Sequence, residues 1–540
     1  MPAYRVGPAD SFLQNGEMRR IELDGKPVIL ARVQDEYYAF GARCTHYGAP
    51  LNEGVLKEHS IVCPWHHSYF DIRSGLRLEP PALNDLPHYP VHIEDGLVTI
   101  TIPHDNKTEP QGKASPAEAR HFVIVGGGAA GNAAAEELRR AGFAGRITIV
   151  SAAPDVPVDR PNLSKDYLAG HAKPEWIPLR NHNWYAERDI ALLLDTPVTR
   201  IDLEAHTVYT GQGAPIHYDK LLLATGGMPR QLKGVPGAEL NGIYSLRTLE
   251  DADRIIQAAT DGKRAVVIGA SFIGLEVAAS LAGGRGVAIT VVAPEEVPFS
   301  HVLGDDIGRM FQREHEQNGV RFCLGDGVAG FTGQDGQVRQ VELKSGERLD
   351  ADFVVAGVGV VPATNFLLDS GLLLNEQDHS VRVNHRLQTN SADVYAAGDI
   401  ARWGDGSDDG VRIEHWRVAQ QQGMVAARNM LGESQIIDRR VPFFWTTQWK
   451  LTLNYVGHAS RWDEIIYWGG TPEQGKFIAF YISKGELQAA AGCGYDAELG
   501  AIDLILRDQL PLSLDQMQDP SFDLIAYASG NLMRIDDHDR

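Results

Sequence analysis

The stretch that most constrains this chain runs from Cys44 to His66. It reads Cys44-Thr45-His46 and, after a run of mixed residues, Cys63-Pro64-Trp65-His66. Two thiols and two imidazoles in so short a region are a ligand set for one small metal centre. In a [2Fe–2S] cluster of mixed ligation, two thiolates hold one iron and two imidazoles the other, which raises the potential above that of an all-cysteine cluster. A structural zinc ion takes the same ligand types, although zinc fingers usually group Cys with Cys and His with His. Here each half carries one of each.

From Tyr4 to about Ile102, short apolar runs (Pro27–Val33, Tyr37–Phe40, Leu97–Ile102) alternate with Gly, Asp and Asn turn residues, the pattern of a small all-β domain. The ligand loops are then expected at hairpin tips, where loops on a rigid sheet carry function. The segments Cys44–Leu51 and Cys63–Asp71 resemble the two cluster-binding loops of Rieske ferredoxins, which makes Cys44, His46, Cys63 and His66 the metal ligands and puts zinc well behind. Trp65, Tyr47 and Pro64 are expected to shield the cluster or simply to pack. With the ligand set full, His59, His67, His88 and His92 read as surface or packing residues, and Ser68 is placed to donate a hydroxyl hydrogen bond toward cluster sulfur. High-potential Rieske proteins carry an additional cysteine in each loop. Gly48-Ala49 and Trp65 stand there instead, so the resemblance is to the low-potential, ferredoxin type.

The chain has 540 residues, 43% of them hydrophobic and 22% charged, enough for three or four globular domains at about 150 residues each. Its net charge of −21 would repel a phosphate backbone or an anionic membrane face, so nucleic acid and membrane are excluded as expected partners. The four cysteines show no disulfide pattern, and no run approaches the ~18 apolar residues of a membrane span. A soluble cytoplasmic protein is expected.

Residues 106–119 are polar and rich in Pro and Gly, which reads as a linker. Directly after it, the strand-like run Phe122–Val125 leads into Gly126-Gly127-Gly128-Ala129-Ala130-Gly131 and a helix from Asn132 to Ala141. In that context the glycines form a dinucleotide fingerprint. Gly126 allows the tight turn, Gly128 lets backbone approach a pyrophosphate, and Gly131 allows close helix–strand packing, while the helix N-terminus offers amides to phosphate. A second copy follows at Gly269-Ala270-Ser271-Phe272-Ile273-Gly274, with Ser271 at the middle position and Glu276 just beyond. Two such sites imply two dinucleotides, one a flavin and one a nicotinamide, because hydride transfer needs a donor and an acceptor.

From about Arg120 to the C-terminus the chain resembles the FAD-dependent pyridine-nucleotide reductases of the ferredoxin-reductase and apoptosis-inducing-factor-like branch. With its N-terminal module it resembles the Rieske-containing members of that branch. The supporting segments are Asp159–Lys165, similar to that branch's isoalloxazine-lining segment, Leu223–Gly227 with Ala224, Thr225 and Gly226, Tyr395–Ile400 with Gly398 and Asp399, and Glu414-His415-Trp416 followed by Ala419 and Gln422-Gly423. The resemblance implies FAD contacts at Gly126, Gly128, Gly131, Arg160, Lys165, Ala224, Thr225, Gly226, Gly398, Asp399, Glu414, His415 and Trp416, and nicotinamide-dinucleotide contacts at Gly269, Ser271, Gly274, Glu276 and Glu296. It also implies a catalytic set of Lys165, Glu276 and Trp416, with Lys165 near the flavin and Glu276 approaching both Lys165 and the nicotinamide.

Two departures matter. After Ile147–Val150 the usual ribose-binding acid is replaced by Ser151-Ala152-Ala153, with Asp155 the nearest candidate. After Ile289–Val292 come Ala293-Pro294 and then Glu295 and Glu296, two acids that disfavour a 2′-phosphate and favour NADH over NADPH. No pair of cysteines is spaced as a redox disulfide, and Cys323 and Cys493 read as core residues. The C-terminal runs from Val441 resemble the branch's α+β domain, in which aromatics matching Phe444, Trp445 and Trp416 either lie near the flavin edge or pack in the core.

The expected architecture is multidomain: an all-β Rieske domain (1–105), the linker (106–119), a Rossmann-like FAD domain in two parts (120–229 and 361–437) around a Rossmann-like NAD domain (230–360), and a C-terminal α+β domain (438–540). The expected function is hydride transfer from NADH to FAD and single-electron transfer to the [2Fe–2S] cluster and an unidentified external acceptor. The alternative is a redox-sensing flavoprotein whose output is a change in assembly or partner. A homodimer is compatible with either.

Overall fold

The structure, a computed structural model, describes residues 2–103, 112–404 and 409–530. The part of the expected linker at 106–111 and the terminal stretch 531–540 lie outside the described residues. The chain divides into two compact units. One comprises Met1–Pro110, Arg439–Trp445 and Leu453–Arg540, the other Gln111–Asp438 with Thr446–Thr452.

The first unit begins all-β. Lys26–Val33 is flanked by the antiparallel strands Met18–Leu23 and Glu36–Gly41. The intervening two-residue turns, Asp24-Gly25 and Gln34-Asp35, hold both central residues at positive φ, the mirror-image turn that matches strand twist. A second antiparallel sheet runs Val55–Lys57, Ser60–Val62, Tyr69–Asp71, Arg77–Glu79. Loop 42–50 follows the first sheet's strand Glu36–Gly41, and Cys63–Ser68 is the tip of the Ser60–Asp71 hairpin.

The C-terminal part of this unit is a five-stranded sheet with the helix Asp496–Arg507, an α+β arrangement as expected. It does not keep a separate core. Val55, Val62 and Tyr69 share one buried cluster with Val441, Phe443, Val456, Leu499 and Ile502. At the edge of that core Glu79 pairs with Arg440, and Lys57 with Asp508.

The second unit contains two parallel sheets. The first is ordered Ile190–Leu193, Arg146–Val150, His121–Val125, Lys220–Leu223, Val394–Ala396. Its last strand comes from far along the chain, so this α/β fold is interrupted by an insertion. The insertion carries the second sheet: Ile243–Tyr244, Phe353–Ala356, Arg264–Ile268, Ala288–Ala293, Arg321–Leu324. Every residue of His121–Val125 is buried, as a continuous apolar strand between helical layers requires.

Helices α1 (Ala129–Arg140) and α2 (Phe272–Arg285) leave the two glycine turns, α3 (Asp305–Gln317) follows the second sheet's Ala288–Ala293, and α4 (Trp416–Met430) packs on α1. That last contact depends on Gly423, where an added Cβ would lie 2.1 Å from the Ala130 carbonyl oxygen. No helix among the described residues is long and apolar enough to cross a membrane.

Gly423→Val should therefore force α1 and α4 apart and destabilise the protein by about 1–3 kcal/mol, the range for overpacked sites. A lowered denaturation midpoint measured by circular dichroism checks this.

Candidate iron–sulfur centre and dinucleotide sites

Each ligand loop closes on its own backbone. The Cys44 N–H donates to the Ala49 carbonyl at 2.9 Å and the Cys63 N–H to the Ser68 carbonyl at 2.9 Å, folding both loops around their cysteines. Gly48 and His67 take positive φ within these turns. The result brings the four expected ligands together in two pairs. The His46 and His66 rings face one another with their Nδ1 atoms 3.1 Å apart, and the Cys44 and Cys63 thiols are hydrogen-bonded to each other.

The donor set fits a [2Fe–2S] cluster. The Cys44 thiol is pushed up by its hydrogen bond to Cys63 and by burial. Burial also pushes Cys63 up, but its hydrogen bond with Cys44 and the amides of His66, Trp65 and Ser68 hold it below its ordinary value. Amide N–H groups aimed at sulfur stabilise thiolate charge, which is what a metal-binding cysteine needs. The Ser68 hydroxyl hydrogen-bonds Cys44 and accepts from the Ala82 amide at 2.9 Å. Burial pushes His46 down to about 3, so the ring is neutral and able to ligate. Two pairs, one of sulfur and one of nitrogen, suit two irons better than one zinc.

The surroundings of these loops include residues that sequence reasoning did not select. Tyr47 stacks on His46 with centroids 3.9 Å apart, as a shielding residue should, yet stays 45% exposed, and Trp65 is 38% exposed. Trp445 lies against both imidazoles, 4.3 Å from His66 and 5.9 Å from His46. Behind the loop, His67 is fully buried with Nδ1 3.0 Å from the Asp503 carboxylate, which also accepts from the Tyr69 hydroxyl at 2.6 Å. Phe443 packs on the His67 ring at 4.4 Å. Asp503 belongs to the helix Asp496–Arg507, so the C-terminal part of the unit supplies the support behind the second ligand loop. Nothing near Cys63–His66 in sequence announces a carboxylate so far along the chain.

In the second unit the first glycine turn forms a cradle. Gly126 sits at φ 111°, and a Cβ there would lie 2.2 Å from the Ala224 carbonyl oxygen; at Gly131 it would lie 1.9 Å from the Gly126 oxygen. Gly128 is the N-cap of α1 and provides no side-chain cap, leaving the first amides directed outward. At its Cβ position the nearest atom is Arg160 Nη1, 3.9 Å away. Arg160 is lowered to about 9 by burial and by the neighbouring Arg247. Arg247 in turn pairs with Asp399 at 3.2 Å.

The Arg160 and Arg247 guanidiniums, opposed here by the carboxylates of Asp399 and Asp251, stand with the first amides of α1 as the groups able to receive a dinucleotide pyrophosphate. Gly226 stays clear of these groups, since a Cβ there would meet Arg247 Nη2 at 2.9 Å. Gly126, Gly128, Arg160, Ala224, Gly226 and Asp399 thus converge on one turn. Thr225 instead donates to the Ala363 carbonyl at 2.8 Å.

Arg247 was not selected from the sequence. The only local signal is that it precedes Thr248 and Asp251, which form a capping box for the helix Leu249–Ala258. Glu414 pairs with Arg412 at 2.5 Å, while burial raises its pKa. His415 is the N-cap of α4 and Trp416 its first residue, packed half-buried against the first sheet's core. Gly398, at φ 80°, donates its N–H to Gln422 of α4 at 2.6 Å. Ser151 stands beside Gly127, and Asp155 is raised by burial and by Asp253 and Glu250.

The second turn repeats the geometry. Gly269 has φ 104°, a Cβ at Gly274 would lie 2.1 Å from the Gly269 oxygen, and Ser271 caps α2 without a side-chain bond because its hydroxyl donates to the Gly357 carbonyl at 3.1 Å. This turn too fits a pyrophosphate. Beyond Ala288–Ala293, Glu295 is half-buried and Glu296 exposed.

Glu276, 4% exposed on α2, joins the segment that follows Arg160. Lys165 Nζ donates to Oε2 at 2.8 Å, as does the Ser164 hydroxyl at 2.5 Å, and the Thr446 hydroxyl donates to Oε1 at 2.7 Å. The expected Lys165–Glu276 pair is therefore formed, with two hydroxyls completing the carboxylate's acceptor set.

Two glycine-turn dinucleotide cradles and a paired cysteine and histidine site define an oxidoreductase that combines flavin, nicotinamide and iron–sulfur cofactors. Comparison with known families agrees. Residues 120–423 match the pyridine nucleotide-disulphide oxidoreductase model, residues 3–90 the Rieske [2Fe-2S] domain and residues 443–528 the reductase C-terminal domain. The chain belongs to the pyridine nucleotide-disulphide oxidoreductase family, in its Rieske-containing, apoptosis-inducing-factor-like and ferredoxin-reductase-type branch. It is 37% identical to apoptosis-inducing factor 3 of Mus musculus over 90% of this chain and 80% of that protein. It is 34% identical to putidaredoxin reductase CamA of Pseudomonas putida, over 76% of this chain and 98% of that one. Among solved structures it resembles the covalent putidaredoxin reductase–putidaredoxin complex, with a TM-score of 0.71 at 33% identity, over 76% of this chain and 99% of that one.

Removing the carboxylate behind the second ligand loop should unseat it. Asp503→Ala removes the carboxylate that His67 Nδ1 and the Tyr69 hydroxyl face, a loss of about 1–3 kcal/mol for a buried hydrogen-bond partner taken away. Iron and sulfide per chain should fall while FAD per chain is retained, and Asp503→Asn should lose less.

Proposed function

We propose that the chain is an NADH-dependent reductase whose electrons leave through its own Rieske centre to an external acceptor. The FAD and the [2Fe–2S] cluster would supply, respectively, hydride acceptance and one-electron transfer, with NADH as donor. The observation that carries this reading is the presence in one chain of two dinucleotide cradles and a separate, correctly paired Cys44, Cys63, His46 and His66 set. No two of the four cysteines have the close spacing of a flavin-linked redox disulfide, and all four are free, with Cys493 buried and Cys323 half-buried. They also suit a reducing cytoplasm.

The residues have separable tasks. Arg160, Arg247 and the N-terminus of α1 would hold and neutralise the FAD pyrophosphate, and Asp399 orients Arg247. Gly269, Ser271, Gly274 and the first turn of α2 would hold the nicotinamide dinucleotide. Lys165 would place a cation beside the flavin ring, and Glu276 would hold Lys165 and set a negative charge toward the nicotinamide. Cys44 and Cys63 would ligate one iron and His46 and His66 the other. NADH is preferred because Glu295 and Glu296 follow the strand Ala288–Ala293 at the place where a 2′-phosphate would need a cation. The external acceptor is a small one-electron protein or molecule, and a homodimer remains part of the proposal.

Anaerobic titration of the holoenzyme with NADH, followed by flavin absorbance and cluster EPR, tests this. The flavin should bleach and a reduced-cluster signal should develop. Bleaching of neither chromophore overturns the proposal, and a slow change in assembly with no acceptor turnover would favour the sensing alternative. Glu296→Arg should shift the kcat/KM ratio toward NADPH by about tenfold, since a new guanidinium can pair with a 2′-phosphate. Steady-state kinetics with both nucleotides measures it.

A further inference from the structure

Glu276 is not supported by its immediate neighbours alone. Thr446, which donates to its Oε1, accepts at its own oxygen from Gln448 Nε2 at 3.0 Å. Gln448 Oε1 lies 2.8 Å from His315 Nε2. His315 is fully buried on α3, and Gln448 is 1% exposed.

The polarity of this chain follows from its end. An ion-paired carboxylate only accepts, so Thr446 must donate to Glu276. The group facing the Thr446 oxygen must then be the amide NH2 of Gln448, which turns Oε1 toward His315, so His315 must carry its proton on Nε2. Nδ1, buried and without a hydrogen-bond partner among the described residues, is the unprotonated nitrogen. Burial pushes the His315 pKa down, which keeps the ring neutral and the single tautomer possible.

We propose that His315 is a positioning residue for Glu276, acting through Gln448 and Thr446. The proposal deepens the functional reading and rests on it, because it takes Glu276 to serve the nicotinamide and Lys165. A buried, neutral histidine with one idle nitrogen is a poor choice for packing alone, since an apolar side chain would fill the space without leaving a polar atom unmatched. Its use is directional: with its donor fixed, Thr446 has one free hydrogen and one place to send it. Packing also holds the segment, through Trp449 against Gly283 and the His315 ring and through Lys450 paired with Glu314 at 3.1 Å, so the test must separate orientation from support.

Holoenzyme variants are mixed with NADH anaerobically and the limiting rate of flavin bleaching is followed. His315→Leu, which removes the donor, should lower that rate about tenfold with a smaller change in KM, as expected for a misoriented catalytic neighbour. His315→Gln keeps an N–H at the Nε2 position and should restore the rate to within about twofold. Gln448→Glu, an acceptor at both ends, should be at least as slow as His315→Leu.

A second readout needs no turnover. In protein labelled with ¹⁵N-histidine, His315 should show the Nε2-protonated tautomer, and Glu276→Gln, which can reverse the chain, should move its nitrogen shifts. The proposal is overturned if His315→Leu and Gln448→Glu bleach at the unaltered rate while Glu276→Gln is slow. It is also overturned if His315 is the Nδ1 tautomer, or if the variants simply lose FAD. If Glu276→Gln itself bleaches at the unaltered rate, the assignment of Glu276 fails first and this proposal with it.

Discussion

A carboxylate buried at Glu276 is the constraint around which the second unit is arranged. An isolated charge at 4% exposure would be strongly unfavourable, and breaking one partner from a buried pair costs about 3–5 kcal/mol. The fold therefore brings three donors to it from two distant stretches of chain: Ser164 and Lys165 from the segment after Arg160, and Thr446 from the C-terminal hairpin. Ser280, one helical turn beyond Glu276 on α2, donates to the Ser164 carbonyl at 2.8 Å, and Gly284 admits Ala169, whose carbonyl oxygen would be 2.4 Å from a Cβ there. The ion pair and the close approach of α2 to the Ser164–Ala169 segment lie on the same helix face, about two turns apart.

The first unit solves a different problem with the same means. The ligand cysteines are seated in the β-domain's own core, with Ile29, Phe40, Leu51 and Phe70, but the second loop's His67 and the imidazole pair lie beyond it. Their support comes from the C-terminal part: Asp503 accepts from Tyr69 and bonds His67, Phe443 packs on the His67 ring, and Trp445 lies tilted against His66 and edge-on to His46. The Rieske and reductase C-terminal regions consequently share the buried cluster around Val62 and Phe443. Their separation along the chain hides this common core from a reading of the sequence.

What was legible in the sequence was local. The Cys44–His46 and Cys63–His66 pairs, the two glycine turns and the apolar strands before them are short patterns whose geometry is set within a dozen residues, and positive φ at Gly126 and Gly269 follows directly from the turn. The Lys165–Glu276 pair was reached by resemblance, not by spacing. Contacts between distant residues were not legible: Arg247 beside Asp399, Thr446 on Glu276, Asp503 under His67. Each is polar, each is specified by where two elements meet, and none leaves a periodicity to read. Trp445 illustrates the limit. The sequence offers the flavin edge or the core; the structure packs Trp445 against the core cluster around Phe443 and, with no sequence signal for it, also beside the imidazoles of the metal loops.

The two dinucleotide turns share a backbone and differ in charge, and that difference has a consequence. At the first, Arg160 and Arg247 stand with the helix N-terminus, and Arg160 is lowered by burial and then by Arg247, against Asp399 and Asp251, so a bound anion would offset the cost of holding that buried cation. At the second, Ser271 spends its hydroxyl on the Gly357 carbonyl, and the acids Glu295 and Glu296 follow the next strand. Charge-assisted bonds from guanidinium to phosphate are roughly twice as strong as neutral ones. On the proposed assignment, the first turn is built for a group that stays and the second for one that must leave in every cycle. An arginine pair introduced at the second turn would slow that departure, because a guanidinium–phosphate bond must break in every cycle.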